Sequence, residues 1–178
     1  MYFLRIVGRH PYLTHIQPWY EQSFPMEERR SFDQLLHILH YPDMHFVALV
    51  DDEQPVGFIV FWQWENLIYV EHFAIDPDKR GQQIGQKALQ LLLKLNASYV
   101  ALEVELPTDD LSRRRIHFYE RQGFSMNAFD YRQPPYRLGG TEIPMKLMSQ
   151  PAIPDQETFS HLSQQLREKV YERFYYAL

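Results

Sequence analysis

The chain has 178 residues, 45% of them hydrophobic and 23% charged, a composition typical of a globular protein with one core-bearing domain. Its formal net charge of −5 argues against nucleic-acid binding, and the absence of cysteine excludes disulfides, thiol nucleophiles and thiolate metal sites. No apolar run reaches the roughly 18 residues of a membrane span, and the N-terminus lacks a signal-peptide pattern. We therefore expect a cytoplasmic protein that binds neither membranes nor nucleic acid.

The first 75 residues predict a strand, two helices and an antiparallel meander. The strand is expected at Tyr2–Val7, and the helices near Leu13–Gln22 and at Ser31–His40, with Ser31 as the N-cap of the second helix. Three apolar runs follow at residues 45–51, 56–64 and 66–75, separated by turn residues. Consecutive runs of this kind indicate antiparallel strands.

The segment after Pro77 has the clearest helical periodicity in the chain. Its apolar residues recur at helical spacing, namely Ile84, Ala88, Leu91, Leu92 and Leu95. A strand at Tyr99–Leu106 comes next, so that strand, helix and strand predict a right-handed crossover between parallel strands.

The second half of the chain predicts a short helix and a hairpin. Asp109, Asp110 or Ser112 can cap the start of the helix, and Gly123 can end it. Strands are expected at residues 124–132 and 141–148. The fold class is therefore α/β, with a mixed α+β sheet built from a meander, one βαβ crossover and a hairpin.

Residues 149–178 are predicted to be a linker and a C-terminal helix at Glu157–Tyr176, outside a domain at residues 1–148. An apolar stripe with two adjoining tyrosines follows this helix: Phe159, Leu162, Leu166, Val170 and Phe174, with Tyr171 and Tyr175. The stripe can pack on its own domain or on a partner subunit, so a homodimer stays open.

The loop "RGQQIG", Arg80 to Gly85, enters the amphipathic helix. A helix N-terminus presents unpaired backbone N–H groups and the positive end of the helix dipole, and can therefore bind phosphate. Gly81 and Gly85 allow close approach of such a group, and Arg80 adds a positive charge. The alternative is an ordinary strand-to-helix turn.

The segment "IDPDKRGQQIGQKALQLLL" resembles the acyl-CoA-binding segment of the GNAT superfamily of N-acetyltransferases. That family carries Gln/Arg-x-x-Gly-x-Gly/Ala at a helix N-terminus. Arg80 matches the first position and Gly85 the last, whereas Gln83 occupies the place of the middle glycine. We expect Gln83 to adopt an unstrained φ with its side chain turned outward.

A second segment, "SRRRIHFYERQGF", is similar to the family's Asn-x-x-Ala-x-x-Phe-Tyr-x-x-x-Gly-Phe pattern. Five positions fall in place: Ile116, Phe118, Tyr119, Gly123 and Phe124. Ser112 stands where asparagine is usual, and Arg115 where alanine is usual. The resemblance covers roughly Phe3 to Leu147 and implies a GNAT-like acyl-CoA N-acyltransferase fold.

The resemblance implies an enzyme that transfers the acetyl group of acetyl-CoA to a primary amine by direct attack in a ternary complex, without a metal. The alternative is a catalytically silent module that binds or senses acyl-CoA. The residues expected at the co-substrate are Phe73, Ala74, Ile75, Arg80, Gly81, Gln82, Gln83, Ile84, Gly85, Gln86, Ser112, Phe118 and Tyr119.

The resemblance also implies catalytic groups. Tyr119 is expected to protonate the leaving thiolate, unless it only packs beside Phe118. Glu71 shares strand parity with aromatic residues, so we expect it among rings, with a raised pKa that suits a general base. Glu103 is the second candidate base. A solvated row of glutamates with a relaying water is the third alternative.

The amine acceptor is expected at "SFPMEERRSF" and "DYRQPPYRLGGTEIP", where Glu28, Arg29 and Tyr131 are the candidate contacts. A solvated charged loop and an ordinary hairpin turn are equally good interpretations of these segments. The acceptor can be a small molecule or a peptide, because nothing in the two segments decides between them. The histidines lack metal-ligand spacing, so no metal site is predicted.

Overall fold

The computed structural model describes residues 1–176 and divides the chain into two compact units. The first unit comprises Met1–Trp64 and Val70–Asn96, and the second comprises Glu65–Tyr69 and the residues from Ala97 onward. One strand, β4, contributes residues to both. The predicted domain boundary at residue 148 stays a prediction.

The first unit contains four strands, three α-helices and two 3₁₀ turns. In chain order they are β1 (Tyr2–Arg5), α1 (Leu13–Ser23), a turn (Met26–Glu28), α2 (Phe32–His37), β2 (Met44–Asp51), β3 (Gln54–Gln63), β4 (Leu67–Ile75), a turn (Pro77–Lys79) and α3 (Ile84–Leu92). The strand order is β1-β2-β3-β4, and β2 pairs antiparallel with both β1 and β3. The predicted elements are thus present, with ends that differ by a few residues.

Two local features of the first unit follow directly from sequence. Ser31 caps α2 as predicted, and Gln34 completes a capping box with it. Gly57 on β3 has no space for a side chain, because a Cβ atom there would lie 2.6 Å from the Ala74 carbonyl oxygen. Glycine at this position therefore allows β3 to lie close against the end of β4, where Phe73, Ala74 and Ile75 are located.

The second unit is built on a sheet of the order β5-β8-β6, with β7 also paired to β8. Its elements are β5 (Tyr99–Glu105), α4 (Asp110–Arg121), β6 (Ser125–Met126), β7 (Tyr131–Gln133), β8 (Ile143–Gln150) and α5 (Gln156–Leu166). β5, β6 and β7 all run antiparallel to β8. The Tyr99 N–H donates to the Asn66 carbonyl at 3.0 Å, so β5 begins beside the start of β4, as the predicted crossover requires.

The single strand predicted at residues 124–132 is wrong. Two short strands occupy this stretch, and the register against β8 moves by two residues between Met126↔Met148 and Tyr131↔Met145. The buried Asn127 lies in the gap and donates through its side-chain amide to the Leu147 carbonyl at 2.8 Å. The Asn127 backbone N–H donates to the same carbonyl at 3.0 Å, so two hydrogen bonds from Asn127 hold the chain to β8 where the strand is interrupted.

The C-terminal helix predicted as one element changes type along its length. α5 ends at Leu166, a π-helical turn occupies Arg167–Tyr171, and a 3₁₀ turn occupies Glu172–Phe174. The predicted apolar stripe is buried, including Phe159 and Leu162. Phe159 lies beside Phe129, with 5.0 Å between ring centroids, so the extension packs inside the second unit.

Among residues 1–176, no helix is both long and apolar enough to cross a membrane. The same stretch holds no group of three or more His, Cys, Asp or Glu side chains arranged to bind a metal ion. The cytoplasmic location and the homodimer stay predictions.

Candidate active site

The loop before α3 combines two residues in the left-handed region. Gly81 has φ of 80° and Gln83, the N-cap of α3, has φ of 61° and ψ of 11°. Arg80, Gly81, Gln82, Gln83 and Gln86 are exposed, whereas Ile84 is buried. A residue in the left-handed region beside a residue in the right-handed helical region can direct their neighbouring backbone N–H groups toward one anion. This arrangement is called an anion-binding nest.

The expectation that Gln83 adopts an unstrained φ is wrong, although its side chain is exposed as expected. The residue takes a left-handed conformation, which glycine adopts without strain. A left-handed conformation costs a non-glycine residue roughly 1–2 kcal/mol. The backbone of the loop is therefore locally strained at Gln83.

We expect Gln83→Gly to stabilise the protein by about 1 kcal/mol, because glycine adopts positive φ without strain. Chemical denaturation would measure the change in stability. Titration with acetyl-CoA would measure the affinity for this ligand, which should stay equal or improve. Gln82→Gly is the matched control, because Gln82 is not among the residues at positive φ. Gln82→Gly should lose stability. An equal loss in Gln83→Gly would show that the Gln83 backbone is not strained.

Glu71 on β4 lies beside an aromatic ring, that of Trp62, and is paired with a cation. Its side chain is fully buried, forms an ion pair with Arg30, and accepts a hydrogen bond from the Trp62 indole at 2.6 Å. Arg30 belongs to the segment expected to bind the acceptor, and it is itself buried. The carboxylate is thus paired with a guanidinium inside the first unit.

His72, the next residue on β4, is also buried in the first unit. Its Nε2 lies 3.3 Å from the Tyr20 hydroxyl, and its ring packs beside Phe24 with 4.5 Å between centroids. Burial lowers the pKa of His72 to about 4, so the ring is neutral at physiological pH. His72 is thus a core histidine.

Glu103 on β5 is surrounded by hydrogen-bond donors of the second unit. Tyr131 donates to Oε1, Gln133 Nε2 donates to Oε2 at 2.8 Å, and the Tyr171 hydroxyl lies 3.0 and 2.9 Å from the two oxygens. The Tyr69 and Tyr171 hydroxyls are 2.8 Å apart. We call these five residues the Glu103 cluster.

The Glu103 cluster contains no cation, in contrast to the surroundings of Glu71. Desolvation raises the pKa of Glu103 to about 7, although the hydrogen bonds from Tyr131, Tyr171, Tyr69 and Gln133 act in the opposite direction. Burial also raises the pKa of the Tyr131 and Tyr171 hydroxyls well above 10, so both remain donors. A carboxylate of this kind can take up or release a proton near pH 7.

The residues predicted on α4 lie in the second unit. Tyr119 is buried, and burial raises the pKa of its phenol to about 12, so it holds its proton at neutral pH. Phe118 packs beside it, with 5.2 Å between ring centroids. Asp109 is the N-cap of α4, and the Ser112 hydroxyl both accepts from the Asp109 N–H and donates to the Asp109 carbonyl. Gly123 ends the helix at φ of 90°, as predicted.

The three predicted acceptor contacts have different surroundings. Glu28 is half-buried at the end of a 3₁₀ turn. Arg29 donates to the Phe24 and Arg30 carbonyls, and its guanidinium lies 5.4 Å from the Tyr20 ring centre. Tyr131 is buried and bound to Glu103, and it also lines a groove of about 380 Å³ between the β7 segment and α5.

Several residues of these clusters were not predicted from sequence. Gln133 and Tyr171 approach Glu103 from positions 30 and 68 residues away, and Arg30 approaches Glu71 from 41 residues away. Tyr171 was assigned only to an apolar stripe, and no local motif marks it as a carboxylate partner. Strand parity placed Glu71 on the face that carries aromatic residues but could not assign partners to Glu71 or Glu103.

Comparison with known proteins identifies related sequences and folds. A family model described as "Acetyltransferase (GNAT) family" matches residues 12–124, more than half of the chain. A Bacillus subtilis protein named "Putative acetyltransferase YjbC" is 31% identical over 112 residues. That match covers 60% of this chain and 56% of the relative, so it spans little more than half of that protein.

Two solved structures share the fold. A Bacteroides thetaiotaomicron protein, described as a "Putative acetyltransferase from GNAT family", has a TM-score of 0.84 at 33% identity and covers 96% of this chain and 98% of its own. An aminoglycoside 6'-N-acetyltransferase in complex with coenzyme A has a TM-score of 0.60 at 20% identity, with coverage of 87% and 99%. The second of these likenesses concerns the fold alone.

Proposed function

Because the chain belongs to the acetyltransferase (GNAT) family, we propose that it transfers the acetyl group of acetyl-CoA to a primary amine by direct attack in a ternary complex. The observation that carries this proposal is the loop before α3, where Gly81 and Gln83 both take positive φ at a helix N-terminus. An enzyme of this class needs such a site for the pyrophosphate of its co-substrate.

The proposed acetyl-CoA site uses backbone groups more than side chains. The N–H groups of residues 81–86 would hold the pyrophosphate, with Arg80 as an exposed cation beside them. Phe73, Ala74 and Ile75 at the end of β4 would pair with the pantetheine arm, and the Ala74 N–H would donate to the oxyanion. Ser112 and Phe118 are assigned to the same ligand only by resemblance to the family.

Acyl transfer also requires a base and an acid. We assign the base to Glu103 rather than Glu71, because Glu103 has a pKa of about 7 and no cationic partner in its cluster, whereas Glu71 is paired with Arg30. Tyr131, hydrogen-bonded to Glu103, would pass the proton of the amine to the carboxylate. Tyr119, a neutral phenol, would protonate the departing thiolate.

The acceptor is proposed to be a small-molecule or peptide amine contacted by Glu28, Arg29 and Tyr131. A neighbour with the same fold is named for acetylation of an aminoglycoside, which carries primary amines. Of the three residues, Tyr131 has the clearest support, since it joins the Glu103 cluster to the groove beside α5.

Calorimetric titration with acetyl-CoA, followed by turnover of a panel of amines, tests the proposal. We expect micromolar binding of acetyl-CoA, at least a tenfold weaker affinity in Gly85→Glu, and release of CoA with at least one amine. Gly8→Glu is the matched control, because a Cβ atom at Gly8 meets nothing within 4 Å. Tight binding without turnover of any amine would instead support a silent acyl-CoA sensor, and no binding would contradict both functions.

A further inference from the structure

The C-terminal segment contributes a residue to the Glu103 cluster through an irregular turn. α5 buries Phe159, Leu162 and Leu166 at helical spacing, after which the π-helical turn Arg167–Tyr171 buries two adjacent residues, Val170 and Tyr171. A π turn is wider than an α turn, is rare, and is frequently found at functional sites. This wider turn places the Tyr171 side chain on the buried side together with Val170.

The hydrogen-bond directions within the cluster follow from the number of hydrogens. A phenol has one O–H hydrogen, and when Glu103 is ionised both of its oxygens can only accept. Tyr171 therefore gives its hydrogen to Glu103, whose two oxygens lie 3.0 and 2.9 Å away. The Tyr69 hydroxyl lies 2.8 Å from that of Tyr171 and also forms a hydrogen bond to Glu103. Gln133 Nε2 lies 3.3 Å from the Tyr171 hydroxyl and donates to it.

We propose that Tyr171 is a positioning residue for the reaction: the C-terminal segment brings its hydroxyl to the Glu103 carboxylate and fixes the base in its ionised, oriented form. This inference rests on the proposed function of Glu103. The Tyr171 hydroxyl lies within hydrogen-bond distance of both carboxylate oxygens and accepts a hydrogen bond from Gln133 Nε2, so it restrains the rotation of the carboxylate. The extension outside the family-matched residues 12–124 is thereby a part of the catalytic apparatus.

The polar groups that face Glu103 come from three elements of the second unit. They are Tyr69 at the start of β4, Tyr131 and Gln133 on β7, and Tyr171 on the π turn. Farther out, the Arg167–Glu142 ion pair acts on Tyr131, and Tyr136 acts on Tyr171. Among these, Tyr171 is the donor that contacts both oxygens, so its hydroxyl is the one to remove.

The test compares Tyr171→Phe with wild type by two readouts, a direct titration of Glu103 and the pH profile of kcat/KM. Carbon-13 NMR of labelled glutamate, assigned with Glu103→Gln, follows the carboxyl itself. Loss of the Tyr171 hydroxyl should raise the pH at which Glu103 titrates by about one unit, because that donor stabilises the ionised carboxylate. The acidic limb of kcat/KM should move equally, with an about tenfold loss at pH 6 and little loss at pH 9.

Tyr175→Phe is the matched control, because the Tyr175 hydroxyl donates to the Pro135 carbonyl at 2.9 Å on the same segment. It should leave both readouts unchanged. Tyr69→Phe removes a hydroxyl that contacts both Tyr171 and Glu103, so it should shift the titration in the same direction. It is the second variant to measure if Tyr171→Phe does not fold. An unmoved Glu103 titration in both variants overturns the positioning role, whereas a moved titration with an unmoved rate profile overturns the assignment of Glu103 as base.

Discussion

Glu103→Gln is expected to lower kcat by about 10²–10³-fold while leaving the affinity for acetyl-CoA unchanged. Removal of a positioned general base costs an enzyme roughly this much. Glutamine has the shape of glutamate and still offers one oxygen to Tyr131 or Tyr171, so the cluster should persist. Steady-state kinetics with an accepted amine, together with calorimetric titration of acetyl-CoA, separates the two parameters.

Glu105→Gln is the control for this substitution. Glu105 lies two residues along the same strand, is partly exposed, and pairs with Arg115 at 2.9 Å. It should retain activity within a few-fold. Comparable losses in both variants would contradict the base role. A wild-type kcat/KM that stays constant as the pH decreases through about 7 would also contradict it, because Glu103 becomes protonated in that range.

The same residue predicts how stability depends on pH. Desolvation raises the folded-state pKa of Glu103 from 4.5 to about 7, so between these values the folded protein binds a proton that the unfolded chain does not. The contribution to stability is therefore complete below about pH 4.5 and is lost as the pH rises through 7. The loss is on the order of 3 kcal/mol, and subtraction of the Glu103→Gln curve from the wild-type denaturation curve isolates it.

Local patterns predicted most of the elements because short-range physics forms them. Ser31 and Gln34 form a capping box within four residues, and the stripe through Ile84, Ala88 and Leu92 needs only helical spacing and an apolar side to pack against. The break between β6 and β7 was missed because it depends on Asn127 reaching a strand 20 residues away. The identity of Asn127 alone does not predict that contact.

The clusters around the two glutamates show where inference from sequence ends. The residue alternation along β4 placed Glu71 on the same side as aromatic residues, but it could not assign a guanidinium partner to Glu71 or phenol partners to Glu103. The partners Arg30 and Tyr171 lie 41 and 68 residues distant. Gln83 is a similar case, since closure of the loop imposes a left-handed φ that its side chain disfavours.

Arg30→Met is expected to destabilise the protein by about 3–5 kcal/mol, the usual cost of leaving one member of a buried ion pair behind. The Arg30 side chain is 2% exposed and that of Glu71 0%, so water cannot replace the lost guanidinium. Denaturation by urea at neutral pH measures the loss. Arg113→Met is the matched control, because Arg113 pairs with Asp110 at 2.8 Å on the surface and should cost less than about 1 kcal/mol.

The double variant Arg30→Met/Glu71→Gln identifies the cause of that loss. A neutral amide can still accept from the Trp62 indole and no longer needs a cation, so most of the stability should return. A double variant as unstable as Arg30→Met would mean that the loss comes from packing of the arginine rather than from the stranded carboxylate. Glu71→Gln alone should also leave the pH profile of acetyl transfer unchanged, because Glu71 is an ion-pair partner in the first unit and the base that we propose is Glu103.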